Sequence, residues 1–298
     1  MNYSLKKIKL NLKVNWKISR NESLFKTNYI LSQGEFRSEI APNIRYAETE
    51  EVIQENFEDL IKHNKFNEDW CQSFKNAYMN LELKREFDGD LYQALGLERV
   101  DRVKTSFSIP IMETSEVKSY MQENNSFDFY KIKISEDAAL DFVKEVATYT
   151  DKALRIDANE AFKSLESYLN FEREVLEVIP ALNIEFIEQP FPASEIDLYK
   201  ELKKVSRFLI IGDESICDHF DEVNFPDMFH GVNIKLMKTG GPLKAKEILL
   251  MAKRYKMKTM IGCMIESSLG ISDALSLASL CDYIDLDGSL LISNDPYR

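Results

Sequence analysis

The sequence contains few cysteines, and they follow no pairing pattern. Cys71, Cys217, Cys263 and Cys281 are far apart in a chain of 298 residues, and no CxxC pair occurs. Zinc sites built from cysteine usually show such pairs. The sequence therefore gives no support for a zinc knuckle, and we expect reduced, mostly buried thiols.

Long basic runs and long apolar runs are also missing. The net charge is -12, whereas nucleic-acid binding usually needs a basic stripe. No apolar stretch approaches the ~18 residues of a membrane span, and residues 1–14 are charged and alternating, unlike a secretory signal. We expect a cytoplasmic protein that binds neither nucleic acid nor membranes. A homo-oligomer is compatible with these features.

Residues 1–105 predict a small α+β unit. Apolar and polar residues alternate over 8–18, which is the period of a strand with one buried face. Two shorter strand segments flank a turn at Gly34. Thr49, followed by two glutamates, is typical of a helix N-cap, and a second helical stretch covers about 67–95, interrupted near Asp88-Gly89-Asp90.

From residue 106 onward, short apolar segments alternate with helical stretches, and their starts are ~20–30 residues apart, the length of a βα unit. The eight strand candidates are 106–111, 127–134, 153–157, 183–188, 208–212, 231–236, 258–262 and 283–286. Eight such units predict an α/β fold with a (β/α)8 barrel over 106–298. A doubly wound open sheet is the competitor, but it would normally show a GxGxxG loop after its first strand, and none occurs.

Acidic residues stand where three consecutive predicted strands end, at Asp157, Glu188 and Asp213. In a barrel of this kind the chemistry lies at the carboxyl ends of the strands. Three carboxylates in one poorly solvated pocket repel each other, and a hard divalent cation relieves that repulsion because it prefers oxygen ligands. One such acid is more often a helix cap, but the ordered set predicts a Mg²⁺ site, with Mn²⁺ as a possible substitute.

Two lysines flank the predicted metal site. Lys133 lies on the second strand and Lys235 on the sixth of eight, which places them on opposite walls. A lysine pKa near ~10.4 makes a poor base at neutral pH, but Lys131 and a divalent cation would lower the pKa of Lys133. A carbon held at the metal would have a lysine on each side, and the metal would stabilise the enediolate left by proton removal.

These residues resemble the motifs of the muconate-lactonizing branch of the enolase superfamily, most closely the dipeptide epimerases. The matching segments are Lys131-Ile-Lys133, Arg155-Ile-Asp157-Ala-Asn159, Ile187-Glu188-Gln189-Pro190, Gly212-Asp213-Glu214-Ser215, Asn233-Ile-Lys235-Leu-Met-Lys-Thr-Gly-Gly241, Gly262-Cys-Met-Ile-Glu-Ser-Ser268 and Asp285-Leu-Asp287-Gly288. The resemblance implies an enolase-type barrel with an N-terminal capping domain. It also implies the following roles: Asp157, Glu188 and Asp213 as Mg²⁺ ligands, Lys133 and Lys235 as acid/base groups, Lys131 beside the substrate carboxylate, and Asn159 and Asn233 in support.

The resemblance also implies a substrate. In dipeptide epimerases a DxD pair on the eighth strand holds the dipeptide ammonium group, which here maps onto Asp285 and Asp287. Two carboxylates facing a cation form charge-assisted hydrogen bonds. The implied reaction is a 1,1-proton transfer at the α-carbon of the C-terminal residue. Arg20, Cys263 and Ile265 are candidate substrate contacts, although Arg20 also suits a solvated turn.

Two alternatives remain open. An o-succinylbenzoate synthase or a cycloisomerase of the same superfamily would use the same acids, and a barrel kept as a binding or scaffold protein would use none of this chemistry. The sequence also departs from the family at its end, Arg298, because family members usually continue into a segment that returns to the capping domain. We expect that return segment to be shortened or missing.

Overall fold

The computed structural model of the chain describes residues 3–19, 22–100, 102–178 and 183–298. Its first three strands form an antiparallel sheet in the order β1-β2-β3, with the bounds Tyr3–Lys17, Glu22–Gln33 and Phe36–Ile40. Gly34 lies in the turn between β2 and β3 at a φ of +61°, a left-handed conformation that glycine adopts without strain. The alternating pattern and the turn signal of this segment correctly predicted the sheet.

Three helices follow the sheet: α1 (Glu50–His63), α2 (Gln72–Glu86) and α3 (Leu91–Leu95). The Thr49 hydroxyl accepts a hydrogen bond from the Val52 amide and caps α1, as predicted. The helical stretch predicted over 67–95 is interrupted where expected, and Gly89 has a φ of +82° between α2 and α3. Apolar side chains of α1 and α2 pack on the sheet in a core of their own.

Eight parallel strands follow, in the unbroken order β11-β10-β9-β8-β7-β6-β5-β4. They are β4 (Ser106–Ile109), β5 (Phe129–Lys133), β6 (Ala153–Asp157), β7 (Ile184–Glu188), β8 (Leu209–Gly212), β9 (Gly231–Lys235), β10 (Lys258–Gly262) and β11 (Tyr283–Asp285). The helices between them are α4 (Thr114–Glu123), α5 (Ala139–Ala147), α6 (Leu165–Val178), α7 (Ile196–Val205), α8 (Phe225–Met228), α9 (Leu236–Thr239), α10 (Pro242–Arg254) and α11 (Ser268–Leu275). All eight predicted strands are present, and the predicted barrel is confirmed.

Side chains join the first and last barrel strands. Among the described residues, β4 and β11 share no ladder of backbone hydrogen bonds. Instead, the Ser106 hydroxyl donates to Asp285 Oδ1 at 2.5 Å, and the Ser108 amide donates to Asp287 Oδ2 at 2.7 Å. The barrel is therefore nearly closed, and Asp285 at the end of β11 and Asp287 just beyond it form part of its closure.

The barrel interior is filled in layers, as in other barrels of this type. Below the strand ends, the buried Arg155 guanidinium lies over the rings of Phe129, Phe186 and Tyr283 and donates to the Ile284 carbonyl at 2.8 Å. Charged side chains occupy the layers above it. Water is thus excluded from beneath the acids and lysines at the strand ends, which strengthens their mutual interactions.

The N-terminal sheet contacts the barrel at several points, one of which is the last described segment. The Lys13 amide donates to the Leu291 carbonyl, and the Ser293 amide donates to the Asn11 carbonyl, both at 2.9 Å. Residues 291–293 therefore lie along β1. The domain boundary at residue 105 and the shortened return segment stay predictions. No helix among the described residues is both long and apolar enough to cross a membrane.

Candidate active site

Three buried carboxylates meet at adjoining strand ends. Asp157 and Glu188 are the last residues of β6 and β7, and Asp213 directly follows β8. One oxygen from each lies within 4.8 Å of the others, and each side chain is almost fully buried. The structure thus brings together the three acids that the sequence predicted as metal ligands.

The environments of these acids shift their pKa values in different directions. Burial raises the pKa of Glu188 to about 8, and the charge of Asp157 adds to the effect. Burial alone would also raise the pKa of Asp157, but the Lys133 and Lys131 ammonium groups outweigh it and lower that pKa. Burial opposes ionisation of Asp213 too, yet Lys235 and Lys238 hold its pKa well below the usual value.

The donor set fits a hard divalent cation. It consists only of carboxylate oxygens, which suit Mg²⁺. Glu188 Oε1 accepts from Asn233 Nδ2 at 2.8 Å, and Glu188 Oε2 lies 2.7 Å from the Lys131 ammonium. The three carboxylates would be the residues that hold such a cation.

The two candidate acid/base lysines stand on opposite walls. Lys133 ends β5 and Lys235 ends β9, four strands apart in a barrel of eight. Lys133 Nζ lies 2.5 Å from Asp157 Oδ2, and Lys235 Nζ lies 2.7 Å from Asp213 Oδ2. Burial alone would lower the pKa of Lys235, but Asp213 outweighs it, and the pKa is raised. Each lysine is therefore paired with a different acid of the triad.

Lys131 lies at the centre of the charge cluster. Its Nζ is 2.7 Å from both Glu188 Oε2 and Asp285 Oδ2, and 3.1 Å from Asp157 Oδ2. Burial alone would lower its pKa, but these three acids raise it well above the ordinary value. Lys131 is thus a fixed cation that connects the triad to the end of β11.

Asp285 and Asp287 have different surroundings. Asp285 uses both oxygens, one for the Ser106 hydroxyl and one for Lys131, and despite its burial these charges lower its pKa. Asp287 accepts hydrogen bonds from Ser108, including one from the Ser108 amide to Oδ2 at 2.7 Å. Burial and the charge of Asp285 raise the pKa of Asp287 to about 7. Of the two acids, Asp287 retains more capacity to accept a further hydrogen bond.

The remaining predicted residues lie around this centre, except Arg20, which is outside the described residues. The Asn233 side chain donates to Glu188 Oε1 at 2.8 Å, and the Asn159 backbone amide donates to Asp157 Oδ1 at 3.0 Å. Cys263 and Ile265 line the same cavity. Burial raises the pKa of the Cys263 thiol well above its usual value, so this cysteine rests as a neutral thiol.

A cavity of about 430 Å³ lies beside this centre, and Asp213 lines it whereas Asp157 and Glu188 do not. Its floor carries the three lysines at the ends of β5 and β9 with Asp213, Asp285 and Asp287, and its upper wall comes from loops of the N-terminal unit. Arg45 of that unit forms a 2.5 Å ion pair with Glu160 of the barrel, and the Ser19 hydroxyl donates to the Asn159 carbonyl at 2.8 Å. The pocket is therefore shared by both parts of the chain.

Sequence reasoning gave no role to two features of the site. Lys238 is fully buried and contacts Asp213, and its signal was a charged residue three positions after Lys235, hence on the same side of a helical turn. Ser106 and Ser108 alternate with Phe107 and Ile109 on β4. That period of two places both serines on the inner face of the barrel.

Comparisons with known proteins agree with this geometry. The family described as enolase C-terminal domain-like matches residues 114–287, more than half of the chain. An L-Ala-D/L-amino acid epimerase of Pedosphaera parvula is 40% identical over 213 residues, which make up 70% of this chain and 60% of that protein. The chain spans about 60% of the length of the first curated relatives it matches.

Two solved structures extend the comparison to nearly the whole chain. An enolase family member from Agrobacterium tumefaciens, with homology to dipeptide epimerases and with bound sodium and L-Ala-L-Glu, is 25% identical with a TM-score of 0.84, covering 98% of this chain and 93% of that one. A dipeptide epimerase from Methylococcus capsulatus, complexed with Mg and L-Arg-D-Lys, is 25% identical with a TM-score of 0.80, covering 99% and 92%. The chain thus belongs to the enolase superfamily, in the family described as enolase C-terminal domain-like.

Proposed function

We propose that this protein is a Mg²⁺-dependent dipeptide epimerase that inverts the α-carbon of the C-terminal residue by a 1,1-proton transfer. One observation carries the proposal: Lys133 and Lys235 face one cavity from opposite walls, and the carboxylate triad lies between them. Inversion requires that a proton leaves one face of a carbon and returns to the other. Two bases on opposite sides of the carbon meet that requirement.

The residues of the chain divide the work. Asp157, Glu188 and Asp213 would hold the cation, which when bound would polarise the substrate carboxylate and stabilise the charge that develops as the α-proton leaves. Lys133 and Lys235 would alternate as proton acceptor and donor, according to which epimer binds. The buried ammonium of Lys131, which has no role in transferring a proton, would face the substrate carboxylate and favour its anionic form.

The substrate class follows from the far side of the cavity. Asp285 and Asp287 place two carboxylates at the end of β11, where a dipeptide ammonium group would form charge-assisted hydrogen bonds. The relative from Pedosphaera parvula and the two solved structures support a dipeptide, since each is described with epimerase activity, homology or a bound dipeptide. Arg20, Cys263 and Ile265 would contact the substrate side chains.

Isotope exchange in D₂O tests this function. The protein is incubated with Mg²⁺ and a library of dipeptides that includes L-Ala-L-Glu, and deuterium at the α-carbon is followed by mass spectrometry. We expect exchange and inversion with at least one dipeptide. Absence of exchange throughout the library, together with turnover of succinylhydroxycyclohexadiene carboxylate, would instead identify an o-succinylbenzoate synthase.

Single-lysine variants test the two-base scheme. Lys133→Ala and Lys235→Ala should each abolish inversion, and each should retain exchange from only the epimer whose proton faces the remaining lysine. Lys104→Ala, which removes an exposed lysine paired with Asp128, is the matched control and should behave as wild type. Normal turnover in both active-site variants would refute the scheme.

A further inference from the structure

Lys238 is a buried lysine that the proposed chemistry leaves without a role. Its Nζ lies 2.5 Å from both Asp213 Oδ1 and the Asp213 carbonyl oxygen, and 3.3 Å from the Asn233 carbonyl oxygen. Its side chain is fully buried, and it is not among the residues that line the cavity. Its charge therefore acts on the site through the atoms it contacts, and Asp213 is the charged residue among them.

The position of Lys238 is fixed by packing against the N-terminal unit. It lies on α9, the single helical turn that directly follows Lys235. In the same turn, Met237 Sδ accepts hydrogen bonds from the Ala41 amide and the Asn76 side chain, at 3.4 and 3.5 Å. The turn is thus fastened between β9 and α2, which leaves the lysine little freedom to leave Asp213.

Asp213 pairs with two lysines, and only one of them reaches the cavity. Asp213 Oδ2 pairs with Lys235, whose side chain reaches the cavity, whereas Oδ1 pairs with Lys238, whose side chain does not. To exchange a proton with a substrate carbon, Lys235 must turn away from Asp213. A cation held by Asp213 can take the place of Lys235 at Oδ2, but it leaves Oδ1 dependent on Lys238. A buried carboxylate oxygen without a charged partner is strongly destabilised, so without Lys238 the Asp213 carboxylate would turn and disturb the movement of Lys235.

We propose that Lys238 is a positioning residue that holds Asp213 in a permanent buried ion pair and so frees Lys235 to act on the substrate. The inference rests on the proposed function, since it assigns Lys238 to one half of the two-base reaction. Its consequence is asymmetric. Loss of Lys238 should impair the proton transfer that uses Lys235 more than the transfer that uses Lys133.

The first experiment measures that asymmetry. The dipeptide that wild type turns over fastest is supplied as each epimer in D₂O with Mg²⁺, and α-deuterium uptake is compared in Lys238→Met and wild type. We expect a loss of about 10- to 100-fold, the range for a misplaced catalytic group, for the same epimer whose exchange is lost in Lys235→Ala. Exchange from the other epimer should change much less, and KM less than kcat.

Equal loss from both epimers, or none, would overturn the positioning role. Lys238→Gln, which keeps a hydrogen-bond donor but removes the charge, gives the same test in a variant that disturbs the buried contacts less. Lys203→Met is the matched control, because Lys203 is a partly buried lysine that donates to the carbonyl oxygens of Pro226 and Phe229 and touches no carboxylate of the site. Lys203→Met should not change the ratio of the exchange rates from the two epimers.

The second experiment needs neither metal nor substrate. Thermal unfolding of the metal-free protein is measured for Lys235→Met, Lys238→Met and the double variant. If either lysine can hold Asp213, the double variant should lose roughly 5 °C more than the two single losses combined, because only then is a buried carboxylate left alone. Additive losses would overturn the proposal. A wild-type protein without any exchange would refute the proposed function while leaving this cycle interpretable.

Discussion

Lys131 and Asp285 pair across the seam of the barrel. Nζ of the lysine on β5 lies 2.7 Å from Oδ2 of the acid at the end of β11, and the intervening strand β4 adds the Ser106 hydroxyl to the other carboxylate oxygen. The ion pair replaces part of the backbone ladder that is missing there among the described residues. Asp285 thus lines the cavity and is one of the three acids that orient Lys131.

This relationship predicts that the two acids of β11 are not equivalent. Asp285→Asn should lower kcat by about 10- to 100-fold, because Lys131 loses the one of its charged partners that holds it toward β11. Asp287→Asn should mainly raise KM for dipeptides, because Asp287 still has an oxygen to offer the substrate ammonium group. Steady-state kinetics of both variants check this, with Asp128→Asn, an exposed acid paired with Lys104, as control. The same loss of kcat in both variants would contradict the division.

The barrel and the acidic triad were predictable because they depend on local patterns. Six of the eight parallel strands carry a charged residue at their carboxyl end or directly after it, and the order of strands along the chain is their order in space. The convergence of Asp157, Glu188 and Asp213 could therefore be predicted without information about side-chain packing. The periods of two and the spacing of the segments were sufficient for this part of the site.

Contacts between the two parts of the chain were not predictable in that way. Glu39 and Ser267 are 228 positions apart, and nothing in either local sequence indicates that they meet. Lys238 depends on a single helical turn folding back beneath Asp213, which is a tertiary arrangement rather than a propensity. The open seam that Asp285 bridges likewise arises from how the last strand docks, which no periodicity encodes.

Glu188 should limit stability when the metal is absent. Burial raises its pKa to about 8, so its ionised form is disfavoured in the metal-free fold. Glu188→Gln should raise the melting temperature without Mg²⁺ and weaken Mg²⁺ binding by about 10-fold or more. Differential scanning fluorimetry and titration calorimetry measure the two effects, with Glu247→Gln, an exposed acid paired with Lys244, as control. Unchanged Mg²⁺ affinity would remove Glu188 from the ligand set.

Glu266 should make the stability depend on pH. It is buried outside the triad, and burial together with the charge of Glu39 raises its pKa to about 8. The unfolded carboxyl loses its proton near ~4.3, so the stability that the neutral acid contributes is full below that pH and is lost as pH rises to about 8. Across this window the free energy of unfolding should fall by about 1.4 kcal/mol per pH unit from this group.

Glu266→Gln isolates that contribution, because the amide imitates the neutral acid and can keep the hydrogen bond from the Met264 amide. Urea denaturation of metal-free wild type and variant at pH 5, 6, 7 and 8, chosen at roughly unit steps across the predicted window, should show the two free energies diverging in favour of the variant as pH rises. Parallel curves would mean that Glu266 is ionised throughout, and the predicted direction of its pKa would be wrong.

Glu39 should hold the N-terminal unit onto the barrel. Its carboxylate accepts hydrogen bonds from the Asn28 side chain at 2.7 Å, from the Ser267 amide at 3.1 Å and from the Gly270 amide at 3.2 Å. It thereby caps the first turn of α11 from another part of the chain, although burial raises the pKa of this carboxyl above its usual value. Glu39→Ala leaves these buried donors unpaired and should cost roughly 2–4 kcal/mol of unfolding free energy.

Glu39→Gln should cost less than Glu39→Ala, since one amide oxygen can still accept from the helix terminus. Both variants should also raise KM more than they lower kcat, because the N-terminal unit supplies the upper wall of the cavity while the lysines stay on the barrel. Chemical denaturation and steady-state kinetics on the same preparations check the two effects together. If Glu39→Ala lowers kcat with KM unchanged, the docking of this unit acts on the proton transfer itself rather than on substrate enclosure.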